Sequence, residues 1–123
     1  MLRILHVFGR LDRNGAETMI MNVYRNINRG EIQFDFIVHS NDIGDYEEEI
    51  QSLGGRIFRC PRYLVFNHYL YVLWWKKFFL EHDYSIIHSH VRSTAAIYIP
   101  IFKRIIVFNF LNHICFSISV FCY

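Results

Sequence analysis

Two periods of hydrophobicity alternate along the first ninety or so residues. Residues 2–8 (LRILHVF) form a short apolar run of strand-forming side chains, closed by Gly9. After the loop RLDRNG, the apolar positions Ala16, Ile20, Val23 and Ile27 recur at helical spacing over 16–27. A second apolar run, 34–39 (FDFIVH), ends at Ser40, Asn41 and Asp42. Asp45, Tyr46, Glu47, Glu48 and Glu49 then open a helix, because carboxylates are favoured at the positive end of its dipole. Gly54 and Gly55 close it with residues that tolerate left-handed geometry, and Tyr46, Ile50 and Leu53 supply its buried stripe.

The alternation continues. Residues 56–60 (RIFRC) predict a third strand, stopped by Pro61, and 65–82 predict a long aromatic-rich helix. Residues 84–88 (YSIIH) predict a fourth strand, followed by the polar turn SHVRST and the start of another helix. Strict strand–helix alternation implies right-handed βαβ crossovers. The predicted fold is therefore α/β: a Rossmann-like parallel sheet with helices on both faces. Past residue 104 the pattern changes. Pro100 falls where the last helix should continue, Lys103 and Arg104 are the last charged residues, and 105–123 lacks a turn signal and a clear period. This divides the chain into a domain over 1–104 and an anomalous hydrophobic tail over 105–123.

Composition narrows the function classes. A chain of 123 residues with 53% hydrophobic and 20% charged residues is enough for one domain with a core. A net charge of +2, with basic residues scattered among acids, excludes a nucleic-acid binder. Cys60, Cys115 and Cys122 form neither a CxxC pair nor an even framework, and read as reduced thiols of a cytoplasmic protein. Arg10, Asp12 and Arg13 interrupt the amino-terminal apolar run too early for a signal peptide.

Candidate chemistry gathers where a parallel sheet binds ligands, beyond the carboxyl ends of its strands. Three segments project there: residues 9–17, 40–44 and 89–94. Gly15 and Ala16 lie at a helix start, where free N–H groups can meet an anionic group, and Glu17 can touch a sugar hydroxyl. Taken alone, these residues are first of all a tight turn and a cap. In His88-Ser89-His90, His88 reads as a structural histidine, whereas His90 and Arg92 lie past the strand end and are candidate ligand contacts. His6, inside the first strand, reads as a packing residue. No third ligand at useful sequence spacing joins the histidine pair, so no metal site is assigned. Trp74, Trp75, Lys76, Lys77, Phe78 and Phe79 read as a core helix with snorkelling lysines, the alternative being a helix lying on an anionic membrane.

Taken in order, RILHVFGRLDRNGAETMIMNVYR, FDFIVHSND, GDYEEEIQSLGGRIFRCPR and YSIIHSHVRSTAAIY resemble the amino-terminal domain of family 4 glycosyltransferases, over residues 1 to about 99. Asn14 departs modestly from the Gly-Gly-Ala-Glu start that this family often shows. The resemblance implies the amino-terminal half of a GT-B fold, incomplete here. It also implies a retaining enzyme that moves sugar from a nucleotide-sugar donor to a glycan or lipid-linked acceptor in capsule or exopolysaccharide synthesis. Gly15, Ala16 and Glu17 would line the cleft, with His90 and Arg92 on its floor, and no resident cofactor or catalytic residue is assigned. The family's carboxyl-terminal, donor-holding domain with its paired glutamates has no counterpart, so the chain is expected to be inactive alone. The tail is expected to be the product of a frameshift or early stop. The rival is a membrane anchor, which Asn109, Asn112, His113, Ser117 and Ser119 weaken. Two other functions follow from the residues themselves: a non-enzymatic module for a phosphorylated ligand, and a membrane-tethered interaction protein.

Overall fold

The computed structural model describes residues 2–112 and 119–122, with side chains described through residue 105 except Arg92. Its strands are β1 (Leu2–Phe8), β2 (Ile32–Val38), β3 (Ile57–Arg59), β4 (Ile86–Ser89) and β5 (Ser119–Cys122). Between them run α1 (Gly15–Asn26), α2 (Glu47–Ser52), α3 (His68–Glu81) and α4 (Arg92–Asn112). All pairings are parallel, in the order β3-β2-β1-β4-β5. The α/β, Rossmann-like expectation holds. Chain order reverses direction at β1, which places a topological switch point between β1 and β4.

Side-chain alternation along each strand feeds two cores. Phe8, Phe34, Phe36 and Val38 pack with Ile20, Met21 and Tyr24 of α1 and with Ile50 of α2. On the other face Leu5, Val7, Ile37 and Ile87 meet Tyr71, Trp75, Phe78 and Phe79 of α3 and Tyr98 and Phe102 of α4. The helical stripe of α1 is shifted from the expected one. Val23 is 45% exposed, and Met21 and Tyr24 take the buried face. Tyr24 earns that place through its hydroxyl, which donates to Gln33 Oε1 at 2.6 Å while the ring stacks on Phe34.

Gly54 closes the α2 turn with φ of +94°, a conformation that only glycine adopts without strain. The helix expected over 65–82 begins with a 3₁₀ turn, Val65–Asn67, before α3 proper. Trp75, Phe78 and Phe79 are buried and Lys76 and Lys77 exposed, as a core helix with solvated lysines requires.

The carboxyl-terminal part departs most from the sequence pattern. α4 runs through Pro100 to Asn112 rather than stopping there, and β5 then pairs in parallel with β4. An interior proline forfeits a hydrogen bond to the Ala96 carbonyl and costs roughly 3 kcal/mol. Burial of Tyr98, Ile101 and Phe102 around it returns roughly 1.5–3 kcal/mol per large side chain, which keeps the helix intact. Residues 113–118 and 123 of the expected tail lie outside the described residues. Among the described residues no helix is long and apolar enough to cross a membrane.

One buried charge braces the sheet. Asp35 is fully buried; it accepts from Arg3 at 2.7 Å, from Arg56 Nη2 at 2.9 Å and from the Tyr84 hydroxyl at 2.7 Å. Burial opposes its ionisation, yet the hydrogen bonds from Arg56 and Tyr84 outweigh that and hold its pKa below the ordinary carboxylate value.

Candidate functional site

The carboxyl edge of the sheet carries an open cleft of ≈ 500 Å³ lined by Gly9, His39, Ser40, Asn41, Asp42, Cys60, Pro61 and Arg62. It forms because β1, β2 and β3 all end there and their following loops diverge. His39 is its most constrained polar group. Nε2 lies 2.8 Å from the Tyr71 hydroxyl and Nδ1 lies 3.1 Å from the Phe8 carbonyl. Burial lowers its pKa below the usual imidazole value, with the Phe8 carbonyl pulling the other way. The ring is therefore neutral at pH 7 and fixed in place. Arg59 closes one side, donating to the Ser40 carbonyl at 2.7 Å and to the buried Glu47 at 2.5 Å.

Gly15, Ala16 and Glu17 form the first turn of α1, as expected, following the loop from β1. The preceding Asn14 makes no side-chain cap, so the turn keeps its N–H groups uncapped by that side chain. Gly15 does not have a positive φ, and a Cβ added to it would meet nothing within 4 Å. Neither turn geometry nor packing demands glycine there, which weakens the tight-turn explanation and leaves open space in front of the turn. Ala16 is exposed and Glu17 half-buried.

His90 lies just beyond β4, at the switch point, where its N–H donates to the Val7 carbonyl at 2.9 Å. Its ring stacks flat on Phe8, with centroids 4.1 Å apart. Arg92 opens α4, and its side chain lies outside the described residues. His88 and His6 are register partners on β4 and β1, so both rings share one face of the sheet with His90. The three rings gather: His6 to His88 is 5.3 Å, His6 to His90 is 5.7 Å and His88 to His90 is 4.1 Å between centroids. His6 is 2% exposed and packs on Phe34 and Phe36, as a packing residue should, but it also places Nδ1 3.4 Å from His90 Nε2. All three imidazoles are held below their ordinary pKa by burial, and His90 is lowered to about 4.

Sequence reasoning missed two members of this region. His39 ends the 34–39 run just before Ser40, the same position relative to its strand that singled out His90, so the rule was available. The third histidine was hidden for a different reason. His6 is 82 residues before His88, and only parallel pairing of β1 with β4 makes them neighbours.

No family model matches the chain. No solved structure matches it either. Over 89 residues the chain is 42% identical to EpsF of Bacillus subtilis (strain 168), named as a putative glycosyltransferase; the match covers 72% of this chain and 23% of EpsF. Over 91 residues it is 28% identical to the capsular polysaccharide biosynthesis glycosyltransferase CapH of Staphylococcus aureus, covering 74% of this chain and 24% of CapH. The chain thus spans about a quarter of the length of the curated relatives it matches. Both relatives are named as glycosyltransferases, EpsF as a putative one and CapH as one of capsular polysaccharide biosynthesis.

Proposed function

We propose that the chain supplies the acceptor-facing part of a retaining, GT-B-type glycosyltransferase of family 4. In this reading sugar passes from a nucleotide-sugar donor to a glycan or lipid-linked acceptor during capsule or exopolysaccharide synthesis in the cytoplasm. The observation that carries it is the 42% identity to EpsF over 89 residues, 72% of this chain. The acceptor enters the cleft beside His39 and Asp42. In this reading the uncapped first turn of α1, at Gly15, Ala16 and Glu17, faces the donor phosphates, and His90 and Arg92 contact substrate next to the cleft, although none of these five is among the residues that line it. A donor-holding unit completes the site in this reading, and the 123-residue chain alone transfers nothing.

Each part plays a defined physical role. Free N–H groups at a helix start stabilise negative charge that grows on the leaving diphosphate. Neutral, fixed imidazoles orient acceptor hydroxyls without presenting a competing charge. The experiment is a chimera in which the matching 89 residues of EpsF are exchanged for those of this chain. It is assayed for transfer against a panel of nucleotide sugars. The chimera is expected to keep the donor choice of its parent and to lose transfer on Gly15→Asp. A folded chimera with no transfer, or turnover by the isolated chain, overturns the reading.

A peripheral membrane contact accompanies this proposal. Val65 and Phe66 are 83% and 88% exposed, Tyr69 and Leu70 continue the apolar surface, and Lys76 and Lys77 are exposed on the same helix. Such a surface suits the headgroup boundary of an anionic bilayer, where a lipid-linked acceptor resides. Co-sedimentation with anionic but not neutral vesicles, lost in the double substitution V65S/F66S, is the expected result.

A further inference from the structure

We propose that His6, His88 and His90 form a binding site for a borderline divalent transition ion, with Zn²⁺ the first choice, which ties β1 to β4 at the switch point. One ring nitrogen from each histidine lies within 4.8 Å of the others, and His6 Nδ1 and His90 Nε2 are already 3.4 Å apart. Nitrogens bound to zinc at 2.0–2.1 Å in tetrahedral geometry lie about 3.4 Å from one another, so a modest turn of the third ring completes the set. The donor chemistry agrees. Three imidazoles suit Zn²⁺, Cu²⁺ and Ni²⁺ rather than the oxygen-seeking Mg²⁺ or Ca²⁺.

Packing sets this cluster apart from chance proximity. His6 is almost fully buried in an aromatic surround of Phe8, Phe34 and Phe36, and its Nδ1 faces His90 Nε2 directly. The His88 ring lies against both of the others, so three imidazoles share one small volume at the switch point. His88 and His90 are partly exposed, so water or an anionic ligand reaches the fourth position from solvent. Three protein ligands and one exchangeable position describe an open site. This inference stands apart from sugar transfer and survives its failure.

The test uses the full chain, stripped with a chelator and titrated with Zn²⁺ by calorimetry and with Co²⁺ by visible absorption. One ion per chain is expected, with the d–d bands of a four- or five-coordinate nitrogen site and a rise in melting temperature. His90→Gln removes one ligand from a half-exposed position and should weaken binding by roughly 10–100-fold or more. His88→Gln should do the same, while both metal-free variants melt near the metal-free parent. Absence of stoichiometric binding overturns the proposal. So does binding that survives His90→Gln and His88→Gln, since the ion would then sit on other histidines.

Discussion

Two polar clusters, each centred on one buried residue, sit on opposite faces of the same sheet, one residue apart on the central strands, and they are built on opposite rules. On the α3/α4 face Asp35 carries a charge, and two arginines and a tyrosine hydroxyl answer it. On the α1/α2 face three histidines crowd together, and His6 Nε2 has no hydrogen-bond partner among the described residues. The Asp35 network is closed: its donors and acceptors are matched, and its work is to hold β1, β2 and the starts of β3 and β4 in register. The histidine cluster is open. It gathers three bases at the place where sheet topology makes a crevice. Satisfied polar groups in a core report on stability, and unsatisfied ones at a switch point report on a ligand.

The contrast can be broken most forcefully from the closed side. Asp35→Ala strands the Tyr84 hydroxyl and leaves two arginines without their acceptor. We expect a loss of about 3 kcal/mol or more, read as a lower urea midpoint. A loss below about 1 kcal/mol would show that the network is surface decoration.

Acid should break the open side next. Burial lowers the folded pKa of His90 to about 4, and those of His6 and His88 also lie below the ordinary value of 6.5. An unfolded chain therefore binds more protons than the folded one between about pH 6.5 and 4. Stability from this cluster is complete above pH 6.5 and is lost as pH falls, on the order of 3 kcal/mol for His90 alone. Asp35 and Glu49, whose pKa values are also depressed, add their losses at lower pH. Urea midpoints measured across this range in the metal-free parent and in His90→Gln should show a shallower acid limb in the variant. Identical limbs would mean that the cluster does not sense protons.

Smaller effects sharpen the comparison. His6→Phe replaces an unpaired ring by an apolar one against Phe34 and Phe36. The metal-free protein should stay within about 1 kcal/mol of the parent, whereas the same replacement of a satisfied group would cost more. Gly15→Ala is the smallest change. Without a positive φ or a steric neighbour it should stabilise α1 by about 0.5–1 kcal/mol, readable as a slight rise in melting temperature. Destabilisation there would restore the tight-turn explanation.

Most of the architecture was legible in the sequence because both hydrophobic periods are strong. Strand and helix positions before residue 92 follow from them, with ends shifted by at most three residues. Three features resisted. The buried stripe of α1 was misplaced because Tyr24 has an apolar ring with a polar tip, and its worth depends on Gln33 across the sheet. Pro100 signalled a stop that tertiary burial overrode. At the candidate site, Gly15, Ala16, Glu17 and His90 were visible at strand and helix ends, where local rules apply. The joining of His6 to His88 and His90 was invisible, since it rests on pairing between strands distant in sequence.

That pairing also sets an order of events during synthesis. β1 leaves the ribosome before both of its partner strands and stands at the centre of the sheet, and it can pair with β2 once residue 38 has emerged. Its other edge has no partner until β4 is complete at Ser89, about fifty residues later. At 5–20 residues per second that is an interval of roughly 3–10 s. During it β1 shows an unpaired edge, and the face carrying His6 lacks its neighbouring strand. A trigger for misassembly is therefore built into the topology, and slowing translation between codons 38 and 89 should lower the soluble yield more than slowing it elsewhere.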